Sequence, residues 1–152
     1  MRLDIKSKPM INIFRNMLAI IAGVVIGSAV NMALITISPS LIPPPAGVDV
    51  IDAESLAKSI HLFEAKNFLM PFLAHALGTL VGAIIAYLVA ASYKVQLAYV
   101  IGVVFLCGGI MASYMIPAPI WFIALDLLAA YIPMAWLGIQ IASRFQSVKT
   151  HS

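Results

Sequence analysis

Apolar residues fall into four long runs along this chain, separated by polar or proline-bearing segments. Positions 17–37 hold 21 residues without a charge. Further runs cover about 68–91, 95–116 and 120–142. Each is long enough to cross a bilayer as a helix, which takes roughly 20 residues. The pattern predicts an all-α membrane protein, an up-down-up-down bundle of four transmembrane helices over those ranges. Pro71 falls in the first turn of the second helix, where a missing N–H costs little. Pro117 and Pro119 reverse the chain before the fourth helix. Pro133 lies inside the fourth helix, where it removes a hydrogen bond and clashes with the carbonyl of Ala129. A kink is expected there.

The long connection, 38–66, has a different character. Pro43, Pro44 and Pro45 forbid a helical ladder and favour extended backbone. Asp52 then fits an N-cap for a short amphipathic helix over about 53–65, in the first outward loop. Leu56, Ile60 and Phe63 share one face of it, and Glu54, Lys58 and His61 lie largely away. Such a helix lies in the interface plane or caps the bundle. The plain expectation is a connector tucked onto the bundle, and a lid is the sharper alternative. The segments 1–16 and 144–152 read as cytoplasmic tails of a single membrane domain spanning 1–152. A basic start before an apolar core is also the layout of a signal peptide. The core here outruns the usual signal length and no clean cleavage site closes it, so an uncleaved first span is expected.

Small residues form columns at helical spacing. Ala74, Gly78, Gly82, Ala86 and Ala90 make one on the second helix. Ala19, Gly23, Gly27 and Asn31 make another on the first. Such columns let helices approach closely, so the two are expected to meet as one antiparallel seam. The third helix carries Gly102, Gly108 and Gly109.

Composition and charge then narrow the picture. The chain is 62% hydrophobic and 10% charged, against about 25% charged in soluble domains. Its net charge of +3 does not point to nucleic acid, because the basic residues flank the apolar runs. Arg2, Lys6, Lys8, Arg15, Lys94, Arg144 and Lys149 fall on one side of a four-span bundle, and only Lys58 and Lys66 on the other. Seven against two places the termini in the cytoplasm. Trp121 and Trp136 fit interfacial anchors near the ends of the fourth helix. The lone Cys107 reads as a small buried hydrophobe.

Polar residues inside the spans are the candidates for chemistry. His75 lies seven residues into the second helix and Asp126 seven into the fourth. Asn31 lies seven from the end of the first. All three therefore sit roughly 10 Å below the same surface. Gly109 faces that level from the third helix, with Ser113 one turn nearer the surface. Asp126 is the only acid in any span, and a carboxylate facing lipid is strongly unfavourable. It must face the interior with a partner. His75 is the natural one, as a charged pair or a neutral hydrogen-bonded pair. Asn31 fits as a bridge or as plain interhelical glue. Tyr114 and Tyr131 border the layer but read as interface or core aromatics. A sealed layer would mark glue, whereas a cavity reaching outward past Pro44 and Phe63 would mark a ligand site.

Established catalytic patterns are absent: the chain has no Walker loop, no dinucleotide fingerprint, no H-E-x-x-H and no G-x-S-x-G. No metal-ligand spacing or cofactor motif occurs among His61, His75, His151 and Cys107. A hydrolase built from Ser113, His75 and Asp126 is geometrically conceivable and little supported. The runs IPPPAGVDV, PFLAHALGTLVGA and PAPIWFIALDLLAAYIPMAWLG resemble a group of small bacterial membrane proteins of no known activity, over about 15–142. That resemblance implies a bacterial inner membrane and no substrate. The leading expectation is a small transport or proton- or ion-coupled protein with His75 and Asp126 as its polar site. The alternative is a non-catalytic scaffold that binds partner helices through its small faces, and an enzyme acting on a lipid or quinone comes third. The expected partners are the bilayer and a second copy or another membrane protein, with no nucleic acid.

Overall fold

The computed structural model describes residues 4–50 and 52–150, with side chains over 10–50 and 52–146. Arg2 and His151 lie outside the described residues, as do the side chains of Lys6, Lys8 and Lys149. The helices are α1 (Asp4–Leu41), α2 (Ala53–Ser59), α3 (Leu69–Val89), α4 (Lys94–Met115), α5 (Ile120–Ala129) and α6 (Ile132–Thr150). Short 3-10 turns at Ile60–Leu62 and Ala65–Phe68 lead from α2 into α3. No strand occurs among the described residues. Four stretches are long and apolar enough to cross a membrane: Met10–Leu41, Ala65–Val89, Lys94–Met115 and Ile120–Gln146. Large apolar side chains cover their outer faces, among them Met111, Ile120 and Leu128. A surface of that kind suits lipid and not water.

α3 is the central element and touches α1, α4, α5 and α6. Its small column explains why. A Cβ at Gly27 would stand 2.7 Å from the Gly78 carbonyl oxygen, and one at Gly78 would stand 2.8 Å from that of Gly27. Gly23 and Gly82 repeat the relation at 2.8 and 2.7 Å. The pairs run in opposite order along the chain, so α1 and α3 are antiparallel and in backbone contact, as expected. Ala19, Ala74 and Ala86 are wholly buried with them. At the end of this seam Asn16 caps the α3–α4 turn. Its Oδ1 accepts from the Ala91 and Ser92 amides at 3.0 and 3.2 Å, and its Nδ2 donates to Ser92 Oγ at 2.9 Å. Arg15 donates to the Val89 carbonyl at 3.0 Å. The arginine satisfies a carbonyl that the end of α3 leaves open, and Asn16 satisfies two amides of the turn.

Several boundaries differ from expectation. α1 runs past both expected ends, and helix begins at Asp4 where a tail was expected. No breaker stands between Met10 and Ser38, and Pro39 comes so near the end that it removes a single bond. Ile42 N–H still donates to Ser38 at 2.8 Å before the proline block stops the ladder. The loop helix is shorter than 53–65. Asp52 does cap it, accepting from the Ser55 amide at 2.8 Å. Phe63 then turns extended, and Glu64 opens the next turn in a reciprocal capping box with Asn67. The buried Asn67 also donates to the Pro43 carbonyl at 3.1 Å, tying the loop back to the proline block. The fourth span breaks outright between α5 and α6 at Ala130–Tyr131, just before Pro133. Cys107 is exposed on α4, not buried, because α4 turns that face away from the bundle.

Gly27→Leu should push α1 off α3, because its Cβ meets the Gly78 carbonyl oxygen, which cannot yield, as well as the Phe105 ring. A loss of about 1–3 kcal/mol is expected, read by thermal unfolding in detergent. Gly108→Ala is the control: a Cβ there meets nothing within 4 Å, and stability should not fall.

Candidate functional site

The site begins with Asp126, the single acid in the spans. It is 5% exposed, seven residues into the Ile120–Gln146 stretch. A carboxylate there needs donors, and the structure supplies two side chains. His75 Nδ1 on α3 lies 2.9 Å from Oδ1 and 3.0 Å from Oδ2. The Tyr131 hydroxyl donates to Oδ2 at 2.8 Å. The Tyr131 ring also stacks on the His75 ring, with centroids 5.9 Å apart and planes 27° apart. Thr79 Oγ1, one turn along α3, donates to the His75 carbonyl at 2.8 Å and is wholly buried. No buried side-chain nitrogen or oxygen among the described residues lacks a partner.

The expected pairing of His75 with Asp126 is therefore present. The third expected member is elsewhere. Asn31 lies on the α1–α3 seam, where a Cβ at Gly78 would stand 3.0 Å from its own Cβ. It makes no hydrogen bond to the pair, and Tyr131 takes that place. On an unbroken helix, residues five apart point about 140° away from each other. The break at Ala130–Tyr131 removes that separation and turns the buried Tyr131 back toward Asp126. Gly109 of α4 makes the room. A Cβ there would collide with the Tyr131 hydroxyl and stand 2.6 Å from Cζ. The signal for Tyr131 was Pro133, two residues on, which forces the break. Tyr114 is 87% exposed and takes no part.

The layer is not sealed. A cavity of about 230 Å³ runs from the loop to the pair. Pro44, Leu56 and Phe63 line its loop end, α1 and α4 contribute Ser38 and Ser113, and His75 and Asp126 lie at its polar end. The remaining wall is mainly apolar, with Ile60, Phe68 and Phe122 forming a buried cluster beside it. Phe68 stacks on Phe122 with centroids 4.7 Å apart and meets Trp121 edge-on at 5.5 Å. Those rings hold the loop turn against α5. Ser113 Oγ donates to the Ile110 carbonyl at 2.7 Å and not to His75, so no nucleophile–base pair is formed. No group of three His, Cys, Asp or Glu side chains among the described residues could hold a metal ion. No family model, curated protein or solved structure matches the chain.

Tyr131→Phe should keep the stacked ring and remove one donor from Asp126, costing roughly 0.6–2 kcal/mol. Gly109→Ala should disturb the same contact by displacing the tyrosine. Near-ultraviolet circular dichroism and thermal unfolding check both, and an unchanged aromatic signal in Gly109→Ala would contradict the packing described.

Proposed function

We propose that this chain is an integral membrane protein that takes a small, largely apolar molecule with a polar head into the cavity above His75 and Asp126. Transport or proton-coupled movement of that molecule is the wider role. One observation carries the reading: the His75–Asp126 pair lies at one end of a mainly apolar cavity whose loop end is lined by Pro44 and Phe63. Interhelical glue needs no such space. Ligand sites of this class are apolar hollows with a few convergent polar groups.

The reading includes an up-down-up-down crossing of the membrane, with the amphipathic α2 segment and its loop on the outer side and both termini in the cytoplasm. The excess of Lys and Arg on the terminal side supports that orientation. A bacterial inner membrane and assembly of several copies complete the proposal. The scaffold alternative has less support. Gly23, Gly27, Gly78 and Gly82 already face one another inside the chain, so they are not free to receive a partner helix.

Native mass spectrometry of protein released from nanodiscs should detect a co-purified small molecule with the wild type. Ile123→Trp, on the cavity wall, should lose it, and Ile110→Trp, on an exposed face, should keep it. The same mass behaviour in all three proteins would defeat the cavity reading. Cysteines introduced at Ala46 and at Ser92 should be labelled by impermeant thiol reagents from opposite sides of the membrane.

A further inference from the structure

His75 has two ring nitrogens, and Asp126 engages only one. Nδ1 is within hydrogen-bond distance of both carboxylate oxygens. Nε2 has no protein partner, yet it is not a buried, unsatisfied atom. The ring is partly accessible, its side chain 24% exposed, and it lines the cavity. Nε2 is therefore the atom of this pair that a ligand can meet.

What Nε2 presents follows from counting protons. A net charge is disfavoured in an apolar, membrane-embedded setting. No lysine or arginine lines the cavity to offset one. The loop cations Lys58 and Lys66 are exposed and paired with Glu54 and Glu64 at 2.6 and 2.8 Å. Tyr131, the other titratable group in contact, is a hydroxyl donor. Two net-neutral forms keep Nδ1 and the Tyr131 hydroxyl bonded to Asp126 with no acid proton left over. In one, Asp126 is ionised and His75 carries protons on both nitrogens. In the other, Asp126 is protonated and donates to Nδ1, so the single imidazole proton is on Nε2. Both forms present an Nε2–H donor. A bare acceptor at Nε2 needs the ring proton on Nδ1 alone, either beside an ionised Asp126, which is net negative, or beside a protonated Asp126, whose own O–H is then left without an acceptor while Tyr131 donates to it.

The geometry points to a ligand that is neutral and apolar, with a hydrogen-bond acceptor such as a carbonyl or ether oxygen placed on His75 Nε2. This rests on the ligand-cavity reading above and narrows it to one chemical class. A carboxylate head would bring the site an uncompensated negative charge. An ammonium head would bring two donors face to face. Of the other polar side chains lining the cavity, Ser38 at the loop end adds a hydroxyl that can also donate, and two more are committed within the protein. Asn67 is consumed by Glu64 and Pro43. The Ser113 hydroxyl proton is consumed by Ile110. Cavity size sets the scale. A dry cavity of about 150 Å³ admits benzene, so about 230 Å³ admits roughly ten non-hydrogen atoms or the end of a longer molecule.

The test uses full-length protein in nanodiscs with 15N-labelled histidine. The His75 signals are assigned by their loss in His75→Gln. Without added ligand, Nε2 should resonate as a protonated nitrogen, and a bare Nε2 overturns the inference. The protein is then titrated with nonan-2-one, nonylammonium and nonanoate while Nε2 is followed. Nonan-2-one should saturate the response at roughly tenfold lower concentration than either charged probe. A preference for nonylammonium or nonanoate overturns the acceptor class and leaves the cavity reading standing. No response to any probe, with Ile123→Trp behaving like the wild type, removes the cavity reading and this inference together. Ile123→Trp must first show the wild-type His75 signals, and Ala112→Phe serves in its place if it does not.

Discussion

An acid inside an apolar bundle must be surrounded by donors, and much of this structure follows from meeting that need at Asp126. The donors come from different directions. His75 approaches from α3, and Tyr131 returns from beyond a break in its own span. The break depends on Pro133, which cannot bond to Ala129. The space for the tyrosine depends on Gly109 having no side chain. A proline, a glycine and a tyrosine on two helices thus serve one carboxylate. Removing either partner leaves the buried carboxylate one donor short, the more costly half of hydrogen-bond energetics.

The pair meets the cavity through one ring. Apolar walls exclude water, so the few polar atoms left accessible dominate recognition. Loop and bundle cooperate in this. Asn67 fixes the loop to Pro43, and Phe68 anchors it against Phe122. The loop end of the cavity is therefore shaped by residues near the surface, while its chemistry lies a few turns deeper.

Much of this was legible in the residues, for identifiable reasons. Long uncharged runs and small columns at a spacing of four report helices and their contact faces directly. Accordingly, the α1–α3 seam was read in its correct sense. His75 and Asp126 were found through scarcity, since spans that together hold one acid and one histidine at equal depth offer few pairings. Depth alone misassigned the third partner. Asn31 shares the level, but the seam holds it, and depth says nothing about azimuth. Tyr131 was underrated because helical periodicity points it away from Asp126, and periodicity fails where a proline ends a helix. The loop resisted for another reason. Asn67 acts through the backbone of distant Pro43, and no local pattern announces that contact.

The α1–α3 seam has a consequence in conformational entropy. Side chains of glycine and alanine have no rotamer freedom to lose on packing. If the two helices form before they meet in the bilayer, the backbone freedom of Gly23, Gly27, Gly78 and Gly82 is already spent. Their association then orders almost nothing further, and close backbone contact is gained with little opposing disorder. α3 is thus located by main chain against main chain, a joint with no side chains to rearrange. His75 is carried one turn from Gly78, so the ring that meets the cavity has its place set by this close backbone contact.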